Sequence, residues 1–187
     1  YNRRDVLCTA INSALRFIGT RPECEIVLVD DASSDGTLDM VRHRYKNEIE
    51  RNLIRAYENV LNQGVTATKN RGAAESLGDW VMFLDSDDSL IPEKSPVVFQ
   101  ELTRGRSNVL LTFRCCSKLG QLVGRQQQGV ITIDYERLVL QGFPGECLPI
   151  VKRSAFLGAP FDGDLRGFEF IGHYRLLSRF GPALVFP

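Results

Sequence analysis

An apolar strand that ends in a group of acidic residues is the feature that most constrains this chain. Residues 81–84 form a continuous apolar run, and Asp85, Asp87 and Asp88 follow within four positions. A continuous run predicts a strand buried on both faces of a parallel sheet, because a half-exposed strand would alternate. Ligands of open α/β sheets bind just beyond the carboxyl ends of such strands. The sequence therefore predicts a polar site at this strand end.

Two interpretations of this acidic group are open from the residues alone. Three neighbouring carboxylates repel one another unless a cation lies among them, and hard divalent ions take oxygen ligands and commonly bridge substrate phosphates. Alternatively, the acids form a solvated turn that caps a helix beginning near Pro92, because Asp and Ser favour such positions.

Size and composition narrow the class of protein. At 187 residues the chain is long enough for one domain with a sizeable core. It has 23 basic and 23 acidic residues, so its formal net charge is zero and no broad electrostatic contact with nucleic acid is expected. Five cysteines without CxxC or zinc-like spacing predict reduced thiols in a cytosolic compartment. The apolar runs are too short for a membrane span, and no signal peptide is visible.

The first half of the chain alternates predicted strands and helices. A second acid-tipped strand spans residues 25–29 and leads into Asp30 and Asp31, a third strand spans 53–57, and a helix spans 65–77. This alternation predicts a parallel, doubly wound half-domain, in which the two acidic strand ends share one edge of one sheet. Because a helix has already begun near Tyr1, we expect a further strand before the chain's first residue.

The pattern is looser in the second half. It predicts strands at 109–113 and 147–151, a polar loop or hairpin at 120–129, and helices at 135–140 and 168–180. Four apolar residues of the last helix form the stripe that is expected to face the core: Phe170, Ile171, Tyr174 and Leu177.

Between the acidic strand ends lies Arg71, followed by Gly72. A guanidinium beside a glycine, where a backbone can approach a ligand closely, suits bidentate contact with phosphate oxygens. The alternative interpretation is an exposed helical arginine in a surface ion pair.

Taken together, these segments resemble the family 2 glycosyltransferases, which have the GT-A fold. The residues that carry the resemblance cover the first half of the chain, and they are Tyr1-Asn2-Arg3, residues 29–37, Asn62-Gln63-Gly64-Val65, Asn70-Arg71-Gly72, and residues 78–92. The fold implied is a Rossmann-like, mostly parallel sheet flanked by helices, with a smaller mixed region on the acceptor side. Residues 1–106 would form the half that binds the nucleotide-sugar, and residues 107–187 the acceptor-binding half of the same domain.

The resemblance also implies which residues bind the donor. Tyr1, Asp31 and Arg71 would contact the nucleotide, with Asp31 on the base, typically uracil. Asp85 and Asp87 would contact the ribose or the sugar.

A metal ion is implied as well. Asp87 or Asp88 would hold Mg²⁺ or Mn²⁺ on the diphosphate of the donor. A divalent cation stabilises the negative charge that grows on a departing nucleoside diphosphate, and it does so without a proton transfer.

The acceptor hydroxyl must lose a proton as it attacks, so a carboxylate is expected as general base. The family generally has an acid pair at the start of a helix that continues to an Arg-Leu pair. Counting back from Arg175-Leu176, Glu169 stands where the family usually has Asp, and Phe168 replaces the preceding acid. Glu169 is therefore the implied base, with Asp164 as the second candidate.

The function implied is inverting transfer of one sugar from a nucleotide diphospho-sugar, UDP-linked in most cases, to a glycan or lipid-linked acceptor in bacterial surface polysaccharide synthesis. The QxxRW signature of processive synthases is absent, which favours transfer of a single sugar. Such an enzyme is expected in the cytoplasm, including the inner face of the cell membrane. Two alternatives are a nucleotidyltransferase that makes activated sugars and a non-catalytic module that binds sugar nucleotides.

Overall fold

The computed structural model describes the whole chain, Tyr1–Pro187, as α/β structure in two compact units. Unit 1 comprises Tyr1–Gly78, Leu84–Arg106 and Gly163–Gly167, and unit 2 comprises Asp79–Phe83, Ser107–Asp162 and Phe168–Pro187. No helix combines the length and apolar character that crossing a membrane requires. All five cysteines are free.

Unit 1 contains two strands and five helices. They are α1 Leu7–Ile18, β1 Ile26–Asp30, α2 Thr37–Arg44, α3 Lys46–Glu50, β2 Ile54–Glu58, α4 Val65–Glu75 and, after a 3₁₀ turn at Pro92–Lys94, α5 Ser95–Thr103. Unit 2 contains five strands and three helices. They are β3 Trp80–Met82, β4 Leu110–Arg114, β5 Ile131–Ile133, α6 Tyr135–Gln141, β6 Cys147–Lys152, α7 Arg153–Gly158, α8 Glu169–Phe180 and β7 Ala183–Phe186.

The core of unit 1 joins two helices to a parallel pair of strands. Strands β1 and β2 run parallel with Asp30 opposite Glu58, so their carboxyl ends lie at the same edge. Helices α1 and α2 cover the pair, and Ile11, Val41 and Ile54 pack together in a buried cluster. Residues three or four apart share one face of a helix, so each helix can present an apolar side to the strands.

Two hydrogen bonds hold the segment after the acidic group against α1. The Leu90 N–H donates to Ser13 Oγ at 3.0 Å, and the Ser95 hydroxyl donates to the Phe17 carbonyl at 2.6 Å. Both serines are buried. The segment that contains Asp85–Asp88 is therefore anchored at its far end to the same helix that packs on β1.

Unit 2 is built on one mixed sheet with the strand order β3-β6-β4-β7-β5. Only β4 and β7 pair in parallel, and the other three ladders are antiparallel. The sequence did not predict β5, β7 or α7. These elements are short, and the apolar run of β7 is buried at all four positions, so neither strand alternation nor helical periodicity marks it.

The two acid-tipped strands belong to different hydrogen-bonded sheets. Strand β1 pairs with β2, whereas β3 pairs antiparallel with β6. The prediction of one sheet edge for both strand ends is therefore wrong at the level of strand pairing. An apolar run indicates a strand, but its ladder partner depends on which chain segment lies beside it, and that information is not local.

The buried face of α8 also differs from the predicted stripe. Gly172, Leu176 and Leu177 are the buried residues of this helix, whereas Phe170 is 48% exposed. Phe170 instead meets the rings of Phe168 and Tyr174 edge-to-face, at centroid distances of 5.7 Å. Aromatic residues at helical spacing can thus pair along a partly exposed face, so the stripe alone does not identify the core side.

Gly172 offers a test of packing in unit 2. A Cβ at this position would lie 2.4 Å from Phe161 Cδ1, and Phe161 is itself buried. Gly172→Ala is expected to lower the free energy of unfolding by about 1–3 kcal/mol through overpacking. Gly158→Ala is the matched control, because its Cβ would meet only Phe180 Cζ at 3.8 Å. Urea denaturation of both variants checks this, and equal stability of the two would contradict the packing.

Candidate functional site

The carboxylate of Asp31 is the centre of a hydrogen-bond network at the ends of β1 and β2. Its Oδ1 accepts from Asn59 Nδ2 at 2.7 Å and from the Gln63 N–H at 2.9 Å, and its Oδ2 accepts from the Gly64 N–H at 2.8 Å. The Thr68 hydroxyl also hydrogen-bonds this carboxylate. Asp31 is only 5% exposed. It therefore fastens the turn Asn62–Gly64, called here the 62–64 turn, to the end of β1.

This environment changes the acidity of Asp31. Burial by itself raises the pKa of a carboxyl group, because it disfavours the charged form. The hydrogen bonds from Gln63, Asn59, Gly64 and Thr68 outweigh burial, so the pKa of Asp31 lies below its ordinary value. The four donors occupy the lone-pair positions of the carboxylate. A direct contact with a nucleobase would have to replace one of them, and the hydroxyl is the donor that can rotate away.

The N-terminal residues lie along the loop that follows β1. The Asn2 N–H donates to Ser33 Oγ at 2.8 Å, and the Ser34 N–H donates to Asn2 Oδ1 at 3.0 Å. Asp30 closes the same loop by accepting from the backbone N–H and the hydroxyl of Ser33, at 2.8 and 2.6 Å. Tyr1 is 57% exposed beside this loop. The contact between Tyr1 and a nucleotide remains a prediction.

A cleft of about 360 Å³ opens at this edge of unit 1, and its lining residues are Ala32, Ser33, Glu58, Asn59 and Val60. Ala32 has a φ of 62°, in the left-handed region that residues with a Cβ seldom adopt. Backbone strain of this kind persists where the surroundings impose it, often at ligand sites. The volume is in the range of small-molecule pockets.

Arg71 lies beside this cleft, but its guanidinium is engaged by the protein. Its Nη1 donates to the Glu58 carbonyl at 2.5 Å and to Asn59 Oδ1 at 2.6 Å. The guanidinium also lies 5.6 Å from the centre of the Tyr57 ring. Arg71 therefore holds Asn59 in place for its bond to Asp31. The contact between Arg71 and a nucleotide remains a prediction.

Lys69 is the cation that meets the second acidic group. Its Nζ lies 2.7 Å from Asp85 Oδ1, and only 17% of the Lys69 side chain is exposed, against 52% for Asp85. Sequence reasoning chose Arg71 and missed Lys69. Helical geometry could have shown that the two residues have different partners. Residues two positions apart on a helix are rotated by about 200° around its axis, so Lys69 and Arg71 point to nearly opposite sides.

The acidic group forms a compact turn in which the Asp88 N–H donates to the Asp85 carbonyl at 3.1 Å. Asp87 and Asp88 are exposed, and the Asp87 carboxylate has no hydrogen bond or ion pair. No group of three or more His, Cys, Asp or Glu residues is arranged to hold a metal ion. One or two exposed carboxylates nevertheless fit Mg²⁺ or Mn²⁺ bound mainly through substrate phosphates and water.

Helix α4 contacts both acidic groups of unit 1. Its residue Thr68 contacts Asp31, and the next residue, Lys69, contacts Asp85. Consecutive residues of a helix differ by about 1.5 Å along its axis and by about 100° around it, so the two carboxylates contact α4 at nearly the same level but in different directions. That both acidic groups face one crevice remains a prediction.

The predicted base lies in the other unit. Glu169 is the first residue of α8 and is partly buried, and it makes contacts of its own. His173, one helical turn further on, meets the rings of Phe143 and Phe161 at 5.7 and 6.0 Å. Asp164, the second candidate, is exposed and belongs to unit 1.

Two of the five cysteines, Cys24 and Cys147, do not offer a competing nucleophile at neutral pH. Desolvation by burial raises the pKa of Cys147 to about 11, which outweighs the opposite effect of Arg114. Burial also raises the pKa of Cys24. A thiol must ionise to act as a nucleophile, so these two groups stay protonated.

Comparison with known proteins identifies the class. The family model described as Glycosyl transferase family 2 matches residues 1–157, which is most of the chain. The chain therefore belongs to the family 2 glycosyltransferases, and the predicted family is confirmed.

Individual proteins agree with this assignment. A GalNAc(5)-diNAcBac-PP-undecaprenol beta-1,3-glucosyltransferase of Campylobacter jejuni is 28% identical over 177 residues, which are 90% of this chain and 54% of that protein. The chain thus spans about half the length of this relative. It covers 31% of an uncharacterized glycosyltransferase of Haemophilus influenzae, which is 35% identical over 100 residues, or 54% of this chain.

Solved structures share the fold. Staphylococcus aureus TarS 1-349 in complex with UDP has a TM-score of 0.76 at 20% identity, covering 99% of this chain and 55% of that one. The mannosyltransferase PcManGT from Pyrobaculum calidifontis, in complex with GDP-Man and Mn²⁺, has a TM-score of 0.72 at 18% identity, covering 100% and 52%. The fold is GT-A, as predicted.

The lowered pKa of Asp31 predicts an acid-dependent loss of stability. Its folded-state pKa lies below the unfolded value of about 3.9, so its stabilising contribution is present above that pH and is lost as the pH falls through the folded pKa. Asp31→Asn is expected to lower the free energy of unfolding by about 1–3 kcal/mol at pH 7. Towards pH 3 the difference from the unsubstituted protein should shrink.

Urea denaturation between pH 7 and pH 3 measures this difference. Asp39→Asn is the control, since the Asp39 side chain is 87% exposed and forms only a 3.9 Å ion pair. A loss of stability in Asp31→Asn that is constant with pH would contradict the charged network.

Proposed function

We propose that this chain binds a nucleotide diphospho-sugar, UDP-linked, and transfers one sugar with inversion to a glycan or lipid-linked acceptor in bacterial surface polysaccharide synthesis. The observation that carries the proposal is that consecutive residues of helix α4 contact Asp31 and Asp85, and that Asn59, a hydrogen-bond partner of Asp31, lines an open cleft. The Campylobacter relative, a GalNAc(5)-diNAcBac-PP-undecaprenol beta-1,3-glucosyltransferase, supports this acceptor class. A lipid-linked acceptor would bring the protein to a membrane surface.

In this proposal the nucleoside binds in the cleft at the ends of β1 and β2. Tyr1 provides an exposed ring for the base to stack on, and Asp31 accepts the base N–H that takes the place of the Thr68 hydroxyl. Arg71 and Asn59 hold the β2 side of the cleft in position. The complexes of TarS with UDP and of PcManGT with GDP-Man support a nucleotide site in this fold.

The diphosphate is proposed to lie over the acidic turn. Asp85 is neutralised by Lys69, so it can accept hydrogen bonds from the ribose or sugar. Asp87, exposed and without a partner, is the favoured metal ligand, with Asp88 beside it. When bound, Mn²⁺ or Mg²⁺ stabilises the charge of the departing nucleoside diphosphate. The Mn²⁺ in the PcManGT complex supports such an ion.

Glu169 is proposed as the general base. Its carboxylate takes the proton of the acceptor hydroxyl as the oxygen attacks the anomeric carbon from the face opposite the leaving group, which inverts the configuration. It is the first residue of α8. The ionised form is the one that can accept the proton.

The metal requirement has a direct test. Calorimetric titration with UDP should show binding at least about tenfold tighter with Mn²⁺ than in EDTA, because the ion joins the diphosphate to the carboxylates. The Asp87→Ala, Asp88→Ala double variant should lose this tightening. Glu93→Ala, an exposed acid in the following turn, should keep it. Equal UDP affinity in Mn²⁺ and EDTA would count against the scheme.

The base assignment is tested by Glu169→Gln, which keeps the size of the side chain and removes its basicity. Transfer from the donor found by a nucleotide-sugar screen should fall by about 10²–10⁴-fold, while UDP affinity is unchanged. Asp164→Asn is the parallel variant. Full turnover in Glu169→Gln would remove Glu169 as base, and UDP binding without transfer by the unsubstituted protein would favour a binding module.

A further inference from the structure

A short segment from late in the chain packs on the 62–64 turn. Residues Gly163–Gly167, called here the strap, belong to unit 1 although both neighbouring stretches belong to unit 2. Arg166 donates from Nη1 to Asn62 Oδ1 at 3.2 Å and from Nη2 to the Asn62 carbonyl at 3.0 Å. Two parallel bonds from one planar guanidinium specify the position of the strap on the turn.

The side chain of Arg166 also packs closely on Gly64, in the space that a side chain at this position would fill. A Cβ on Gly64 would lie 2.7 Å from Arg166 Cγ and 2.9 Å from Arg166 Cδ. Gly64 has a φ of 88°, which also favours glycine. The aliphatic part of Arg166 therefore lies directly on the turn, where any larger residue would displace it.

Arg166 attaches the strap to this turn, and Asp164 of the strap makes contacts of its own. The five strap residues are all exposed, and Leu165 remains 37% exposed. The guanidinium of Arg166 forms no ion pair, and its two bonds go to neutral oxygens of Asn62. A segment with few buried apolar contacts opens at low free energy, so the loss of these two bonds should make the strap open more often.

On its other side, the turn is held by Asp31. The N–H groups of Gln63 and Gly64 donate to the Asp31 carboxylate, and Asn62 Nδ2 donates to the Asp31 carbonyl at 3.4 Å. A continuous series of hydrogen bonds thus runs from the end of β1, through the turn, to Arg166. A ligand that contacts Asp31 or the turn would stabilise the same series.

We propose that Arg166 is a positioning residue that fastens the strap to the 62–64 turn and thereby restricts the residues leading into α8. Glu169 begins that helix three residues after Arg166. This inference rests on the proposed function, because it concerns the presentation of the proposed base. Donor binding and the fastened strap stabilise each other, since coupling between two binding events is reciprocal. Arg166 itself touches the turn and not the substrate.

Amide hydrogen exchange measures the fastening without any turnover. In the unsubstituted protein, UDP with Mn²⁺ should slow exchange in peptides that contain the strap. Arg166→Ala should speed strap exchange by about tenfold, from the loss of two charge-assisted bonds, and should abolish the response to UDP. Arg166→Lys, which can make one such bond, should restore part of the protection. Leu165→Ala, the control within the strap, should retain the UDP response.

Kinetics then separate positioning from direct donor binding. Arg166→Ala should lower kcat about tenfold and should weaken UDP binding by no more than the factor by which UDP slows strap exchange in the unsubstituted protein, because the coupling is reciprocal. A tenfold loss of UDP affinity with kcat retained would make Arg166 a donor ligand and overturn the inference. Unchanged strap exchange in Arg166→Ala would overturn it as well. Failure of the unsubstituted protein to transfer any sugar would refute the proposed function, whereas strap exchange would still decide whether Arg166 fastens the strap.

Discussion

The buried carboxylate of Asp31 is the interaction on which the candidate site depends. A charged group at 5% exposure is costly unless donors replace the water it has lost. Here the donors come from the residue after β2, from the 62–64 turn and from α4, so one charge joins the ends of two strands to the start of a helix. Asn59, which lines the cleft, is held in place by its hydrogen bond to the Asp31 carboxylate.

Helix α4 extends this organisation to the second acidic group. Lys69 lies against Asp85 and reduces the repulsion within the acidic turn, which leaves Asp87 and Asp88 exposed at its tip. A chain with no net charge thereby concentrates negative charge at one place. This local charge suits a divalent ion held jointly by protein and phosphate, because such ions retain few protein ligands. Arg71, two residues after Lys69 on the same helix, stabilises the β2 side of the cleft through Glu58 and Asn59.

Several elements were predictable because their determinants are local. The alternation of segments predicted β1, β2 and α4 to within a few residues. The predictions failed where the determinant was a distant partner. Strand β3 was predicted to share a sheet edge with β1 but pairs with β6 in another sheet, and α8 buries Gly172 and Leu176 where an aromatic stripe was expected.

Residue types and their order by themselves determined the family, the α/β class of the first half, and the set of acids and cations available to the site. Only the tertiary structure decided which partner each of these acids and cations contacts. It assigned Lys69 to Asp85 and Arg71 to Asn59, filled the lone pairs of Asp31 with protein donors, and laid Arg166 on a turn 104 positions earlier. The reason is physical: helical and strand periodicity describe the neighbours of a residue along the chain, whereas a hydrogen bond or ion pair depends on which distant group packing brings within about 3 Å.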